Sequence, residues 1–154
     1  MDSKYILLRD QVRSLADTEN NYVSVMANTS ALLMDTLEDI NWAGFYIMRN
    51  GRLELGPFQG KVACVRIAKG KGVCGTAWKE DRTQLVPDVH AFPGHIACDA
   101  ASRSEIVVPI RRGGEVVAVL DIDSPVPERF TEEDREGLEL FANTLEECMD
   151  MAGM

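Results

Sequence analysis

The sequence predicts an α+β fold: a mostly antiparallel sheet of five or six strands, with N- and C-terminal helices on one face and loops over the other. Three observations predict it. Two segments of helical apolar periodicity open the chain, short strands separated by turn signals fill the middle, and one long amphipathic segment closes it. Residues 1–154 are expected to form one domain, large enough to bury about two thirds of the surface that the unfolded chain exposes.

Residues 4–15 and 20–38 read as helices. In the second, Tyr22, Val23, Met26, Ala27, Leu33, Met34 and Leu37 fall on one stripe, and residues 17–20 supply its start. Residues 42–48 then alternate, with Ala43, Phe45 and Ile47 pointing one way and Trp42, Gly44 and Tyr46 the other. Asn50-Gly51 is a hairpin signal, so residues 53–57 return as the partner strand. A third short strand is expected over 63–67, a short helix over 72–80 and another strand over 83–86. A long loop spans 87–103, a length that in a compact domain usually serves function. Strands over 104–111 and 115–123 follow, joined by Arg112-Gly113-Gly114. Thr131-Glu132-Glu133-Asp134 resembles a capping box, and Leu138, Phe141, Leu145, Cys148 and Met149 form the buried stripe of the last helix.

Composition narrows the function. The apolar content of 45% and charged content of 27% are ordinary for a globular protein. No apolar run approaches the roughly 18 residues that suggest a membrane span. A net charge of −9 argues against nucleic acid, because phosphate contacts need concentrated Lys and Arg. The densest run of acids lies between Glu128 and Asp150 and reads as a solvated helix face. Met1-Asp2-Ser3-Lys4 lacks the basic-then-apolar pattern of a signal peptide, so a cytoplasmic location is expected. The four cysteines should then stay mostly reduced, and none forms a C-x-x-C pair.

The stretch from Gly94 to Glu105 holds a histidine, a cysteine and two acids on a loop of small residues. Cys98 there is better placed for chemistry than for packing. Asp121 and Asp123 share a strand face two residues apart; two like charges this close suit an ammonium group or a shared proton. A solvated strand end is the plainer alternative. Trp42 and Tyr46 share the face away from the helices, where they could wall a small pocket or simply pack together. Gly70 to Gly75 matches G-x-G-x-x-G without the βαβ context of a dinucleotide site. The glycines are expected to allow tight entry into the helix, leaving Cys74 near a helix N-terminus that would favour its thiolate. Cys148 reads as a core residue. His90 and His95 match no structural zinc spacing and are expected to brace the loop, so neither a metal nor a bound cofactor is expected.

Six blocks in order carry a resemblance: Asn41 to Tyr46, Leu55 to Gly60, Ala63 to Ile67, Gly72 to Ala77, Gly94 to Ser102, and Leu120 to Ser124. Together they resemble the free methionine-R-sulfoxide reductases, which are stand-alone GAF domains. The resemblance implies a GAF-like fold and reduction of free L-methionine (R)-S-oxide. It implies that Cys98 is the nucleophile and that Cys64 and Cys74 are the candidate resolving thiols; which of them resolves depends on which approaches Cys98, and our expectation leans to Cys64. It implies that Glu105, Asp121 and Asp123 contact the substrate while Trp42 and Tyr46 surround its methylthio end. It further implies thioredoxin as the reductant and a homodimer as the assembly. The alternative is a GAF module that senses a small molecule or redox state without catalysis, which has no need of three cysteines at these positions.

Overall fold

The computed structural model describes residues 2–95 and 101–154. Helix α1 spans Ser3–Thr18 and starts where the Asp2 side chain accepts the Lys4 N–H. Helix α2 spans Tyr22–Thr36. Its start is not within 17–20: Asp17 and Thr18 close α1, and Asn21 is the cap, its side chain accepting the Val23 N–H. The buried stripe of α2 also departs from the apolar pattern. Val23 is 49% exposed, while Thr29 and Ser30 are buried. Their hydroxyls donate to the carbonyls of Val25 and Met26 one turn back, so these side chains enter the core without an unmet polar group.

Strand β1 is Trp42–Arg49, β2 is Arg52–Gly60 and β3 only Arg66–Ile67. Helix α3 is Gly72–Glu80, β4 is Gln84–Val86, β5 is Ser104–Arg112 and β6 is Glu115–Ser124. Helix α4, Glu132–Cys148, opens with a complete capping box between Thr131 and Asp134. The expected loop after β4 holds a short 3₁₀ turn over Val89–Ala91. The strands form one six-stranded sheet in the order β3-β2-β1-β6-β5-β4, with every neighbouring pair antiparallel.

Two cores lie on the two sheet faces. Ala43, Phe45, Ile47, Ile106, Ala118, Leu120 and Ile122 meet α1, α2 and α4. Alternation sends Trp42, Tyr46, Val107 and Val119 to the other face. That second face is covered by α3 as well as by loops, with Val73, Cys74 and Ala77 packed into it. Helix α1 lies against α4 so closely that a Cβ on Gly137 would stand 2.1 Å from Cγ of Tyr5. The Tyr5 hydroxyl donates to Asp134 at 2.6 Å, tying the helix pair to the capping box.

Residues 63–65 do not join β3. Side chains of β1 hold this segment and the residues before it: Trp42 Nε1 donates to the Lys61 carbonyl at 3.0 Å, and the Tyr46 hydroxyl to that of Cys64 at 3.0 Å. Cys64 therefore sits on an irregular strap before the strand. The strap returns to the sheet where the Leu55 N–H donates to the Val65 carbonyl.

Candidate active site

Register assembles the site. Trp42 of β1 lies opposite Asp123 of β6, and Asp123 opposite Glu105 of β5. One row therefore carries an aromatic ring and two carboxyl groups across three strands. The next row sets Gly44 opposite Asp121, and Asp121 opposite Val107. Directly opposed residues share a sheet face, so all three carboxyl groups project to the side away from α1, α2 and α4. Gly44 keeps its row open. A Cβ there would stand 2.2 Å from that of Phe58, at the irregularity in the β1–β2 pairing. Phe58 in turn stacks on Trp42 with ring centroids 5.0 Å apart, and Trp42 on Tyr46 at 6.0 Å.

The pocket is walled by Trp42, Tyr46 and Cys74 and floored by Glu105, Asp121 and Asp123; His95 and Ser102 also line it. Glu105 and Asp121 are buried, with 7% and 6% of their surfaces exposed. Burial pushes the Glu105 carboxyl well above the usual carboxylate range, and the charges of Asp121 and Asp123 push it further. Burial also raises Asp121, against hydrogen bonds from Glu105, Asp123 and Cys74 that favour its ionised form. Asp121 Oδ1 is buried with no hydrogen-bond partner among the described residues. Such an orphan acceptor is costly unless a ligand supplies the donor.

Cys74 differs from its expected state. The thiol is buried and free, and burial raises its pKa before the negative charge of Asp121 adds to the effect. The start of α3 does not compensate, so no thiolate is favoured there. Cys64 is half-buried and disulfide-bonded. Cys148 is a free thiol packed against the helix-side core. Cys98 lies outside the described residues.

Donor atoms of Cys74, Glu105 and Asp121 all lie within 4.8 Å of one another and could in principle hold a cation. A cation needs thiolate and carboxylate ligands. Burial instead raises the pKa of the Cys74 thiol and of the Glu105 and Asp121 carboxyls, which disfavours the charged forms that a cation would need. His95 was expected to brace the loop; it reaches the pocket, and burial followed by the neighbouring His90 lowers its pKa.

The periodic pattern singled out neither Phe58 nor Ser102 as a site residue. The irregularity in the β1–β2 pairing takes Phe58 out of simple alternation. Ser102 carries no signal of its own until Asn41 Nδ2 is seen to donate to its hydroxyl at 3.3 Å.

A helix-flanked antiparallel sheet with a ligand pocket under α3 is the GAF arrangement, and the GAF domain model matches residues 26–150. The chain belongs to the GAF domain family and, within it, to the free methionine-R-sulfoxide reductases. It is 52% identical over 145 residues to the free methionine-R-sulfoxide reductase of Escherichia coli, covering 94% of this chain and 88% of that one. The yeast enzyme of the same name, from Saccharomyces cerevisiae, is 48% identical over 139 residues, 85% of this chain and 77% of that one. Among solved structures, the substrate complex of fRMsr from Staphylococcus aureus superposes with a TM-score of 0.90 at 51% identity, covering 95% of each chain.

Proposed function

We propose that this protein reduces free L-methionine (R)-S-oxide to L-methionine, as a single GAF domain over residues 1–154. The observation that carries the reading is the buried floor of Glu105, Asp121 and Asp123 beneath the Trp42–Tyr46 wall. An apolar wall suits a methylthio group, and the floor suits what surrounds it. The ammonium of a free amino acid supplies the charged donor that Asp121 Oδ1 lacks. A peptide-bound methionine sulfoxide has no such group to offer.

In the proposed mechanism the Cys98 thiolate attacks the sulfoxide sulfur. Glu105 is the carboxyl best suited to protonate the oxygen, since burial and the charges of Asp121 and Asp123 raise its pKa and favour the form that carries the proton. The oxygen passes to Cys98 as a sulfenic acid and methionine leaves. The Cys64 thiol then attacks the sulfenic sulfur, releasing water and forming a disulfide. A dithiol reductant, thioredoxin in this reading, takes up the two oxidising equivalents. Cys64 is favoured over Cys74 as the resolving thiol because it is engaged in a disulfide while Cys74 is free and buried among acids. The reading needs no bound metal or cofactor. No helix among the described residues is long and apolar enough to cross a membrane, which accords with a cytoplasmic enzyme. Exposed Leu7 and Val23 on α1 and α2 offer apolar surface for the homodimer that the resemblance implies.

The test is a steady-state assay with a thioredoxin system, comparing free and N-acetylated methionine sulfoxide. Turnover is expected on the free amino acid alone and is expected to vanish in Cys98→Ser with the fold kept. Equal rates on the two compounds would overturn the ammonium argument. Activity on neither would favour a sensor.

A further inference from the structure

We propose that the strap over residues 61–71 is the docking surface for the reductant, a protein carrying a vicinal dithiol, and that this partner attacks the Cys64 sulfur. The proposal rests on the disulfide-forming role given to Cys64 above. Cys64 is half-buried. Apolar side chains flank it: Val65 is 57% exposed, and Val62, 88% exposed, stands at the rim of the pocket. The small-molecule pocket accounts for the bare Val62, but it does not account for Val65, which lies outside the pocket lining on the other side of the reducible sulfur. An exposed valine beside that sulfur suits a surface that must seat another protein there.

The strap is also held from beneath. Its carbonyls at Lys61, Cys64 and Val65 are bound by Trp42, Tyr46 and the Leu55 N–H, so the outward face is preorganised. Charge singles out the same segment. Lys61, Arg66, Lys69 and Lys71 are all exposed, and no acid lies between positions 61 and 71, in a chain of net charge −9. The partner that fits is a dithiol oxidoreductase with apolar surface around its thiol pair and acidic residues at its margin.

In the exchange a partner thiolate attacks Cys64, the disulfide breaks and Cys98 departs as a thiolate. The partner's second thiol then attacks the mixed disulfide, freeing Cys64 and leaving the partner oxidised.

The experiment compares wild type with a Val65→Asp, Arg66→Glu double variant, driving turnover of free methionine sulfoxide either with thioredoxin or with dithiothreitol. The expected result is a loss of about tenfold or more in kcat/KM for thioredoxin, with the dithiothreitol-driven rate within about twofold of wild type. An unchanged kcat/KM for thioredoxin, or equal losses with both reductants, would overturn the proposal. A second measurement needs no sulfoxide. Oxidised protein mixed with a thioredoxin whose second cysteine is replaced by serine should yield a mixed disulfide mapped by mass spectrometry to Cys64. An adduct on Cys98 would overturn the attack site. Because that adduct forms without turnover, failure of the docking proposal is separable from failure of the proposed reductase activity.

Discussion

At the residue scale, Tyr46 does two things at once. Its ring walls the pocket and its hydroxyl holds the Cys64 carbonyl. Tyr46→Phe keeps the wall and removes the hold. A neutral hydrogen bond is worth about 1 kcal/mol, on the order of a fivefold effect on how often the strap is correctly placed. The KM for the sulfoxide should stay put while disulfide formation slows, and sulfenic acid should accumulate to an extent readable by dimedone labelling and mass spectrometry. An unchanged rate of disulfide formation would mean that the Leu55 and Trp42 contacts suffice to hold the strap. Glu105 makes a second residue-scale case. Glu105→Gln removes the proposed proton donor with little change of shape, and the chemical step should fall by about 10²–10⁴ in single-turnover assays.

At the scale of elements, the α1–α4 pair depends on what is missing from Gly137. Adding a methyl group there pushes it into the Tyr5 ring, which is itself fixed by its bond to Asp134. Gly137→Ala gains helix propensity of about 1 kcal/mol. Overpacking a buried contact costs about 1–3 kcal/mol and should dominate. The expected outcome is a net drop in Tm of a few degrees by calorimetry, with kcat/KM unaffected since the sheet separates this contact from the pocket. A rise in Tm would show that α1 can slide away from α4 at little cost.

At the scale of the whole molecule, two sets of buried acids act on stability with opposite sign. Asp134 is held below its usual range: burial raises it, but the Tyr5 hydroxyl, the Thr131 N–H and the Arg129 guanidinium outweigh that. Its stabilising contribution is in place above about pH 4, the unfolded value, and is lost as pH falls through the lower folded value. Glu105 is raised in the folded state, so its contribution is complete below its unfolded value of about 4.3 and is lost as pH rises through the folded value. Stability should therefore peak in mildly acidic solution and decline toward alkaline pH. Glu105→Gln should flatten that decline and raise the Tm at pH 8 even as it removes activity. A pH profile of Tm identical to wild type would contradict the raised Glu105.

The same scale shows what the sequence could carry. Period-two alternation sent Trp42 and Tyr46 to one face and Ala43, Phe45 and Ile47 to the other, and the sheet bears this out because β1 is central and has a core on both sides. Asp121 and Asp123 were legible as a pair for the same reason. The meeting of Glu105 with them was not derivable from spacing, since it depends on the register of β5 on β6 and came only through the family resemblance. The strap was misread as strand because Ala63, Val65 and Ile67 alternate correctly; side chains about 20 residues earlier claim its carbonyls. The Cys74 thiolate was misjudged because a helix start is visible in sequence and burial among three carboxyl groups is not.

The hold that Trp42 and Tyr46 exert on the strap limits how far this protein can be redesigned. Widening the pocket for bulkier sulfoxides invites replacement of those two rings by smaller side chains. Each such change would also unfasten the segment bearing Cys64, so binding would improve while the catalyst stalls after one turnover. Substrate range is therefore better broadened through Phe58, which backs Trp42 without touching the strap carbonyls, than through the walls themselves.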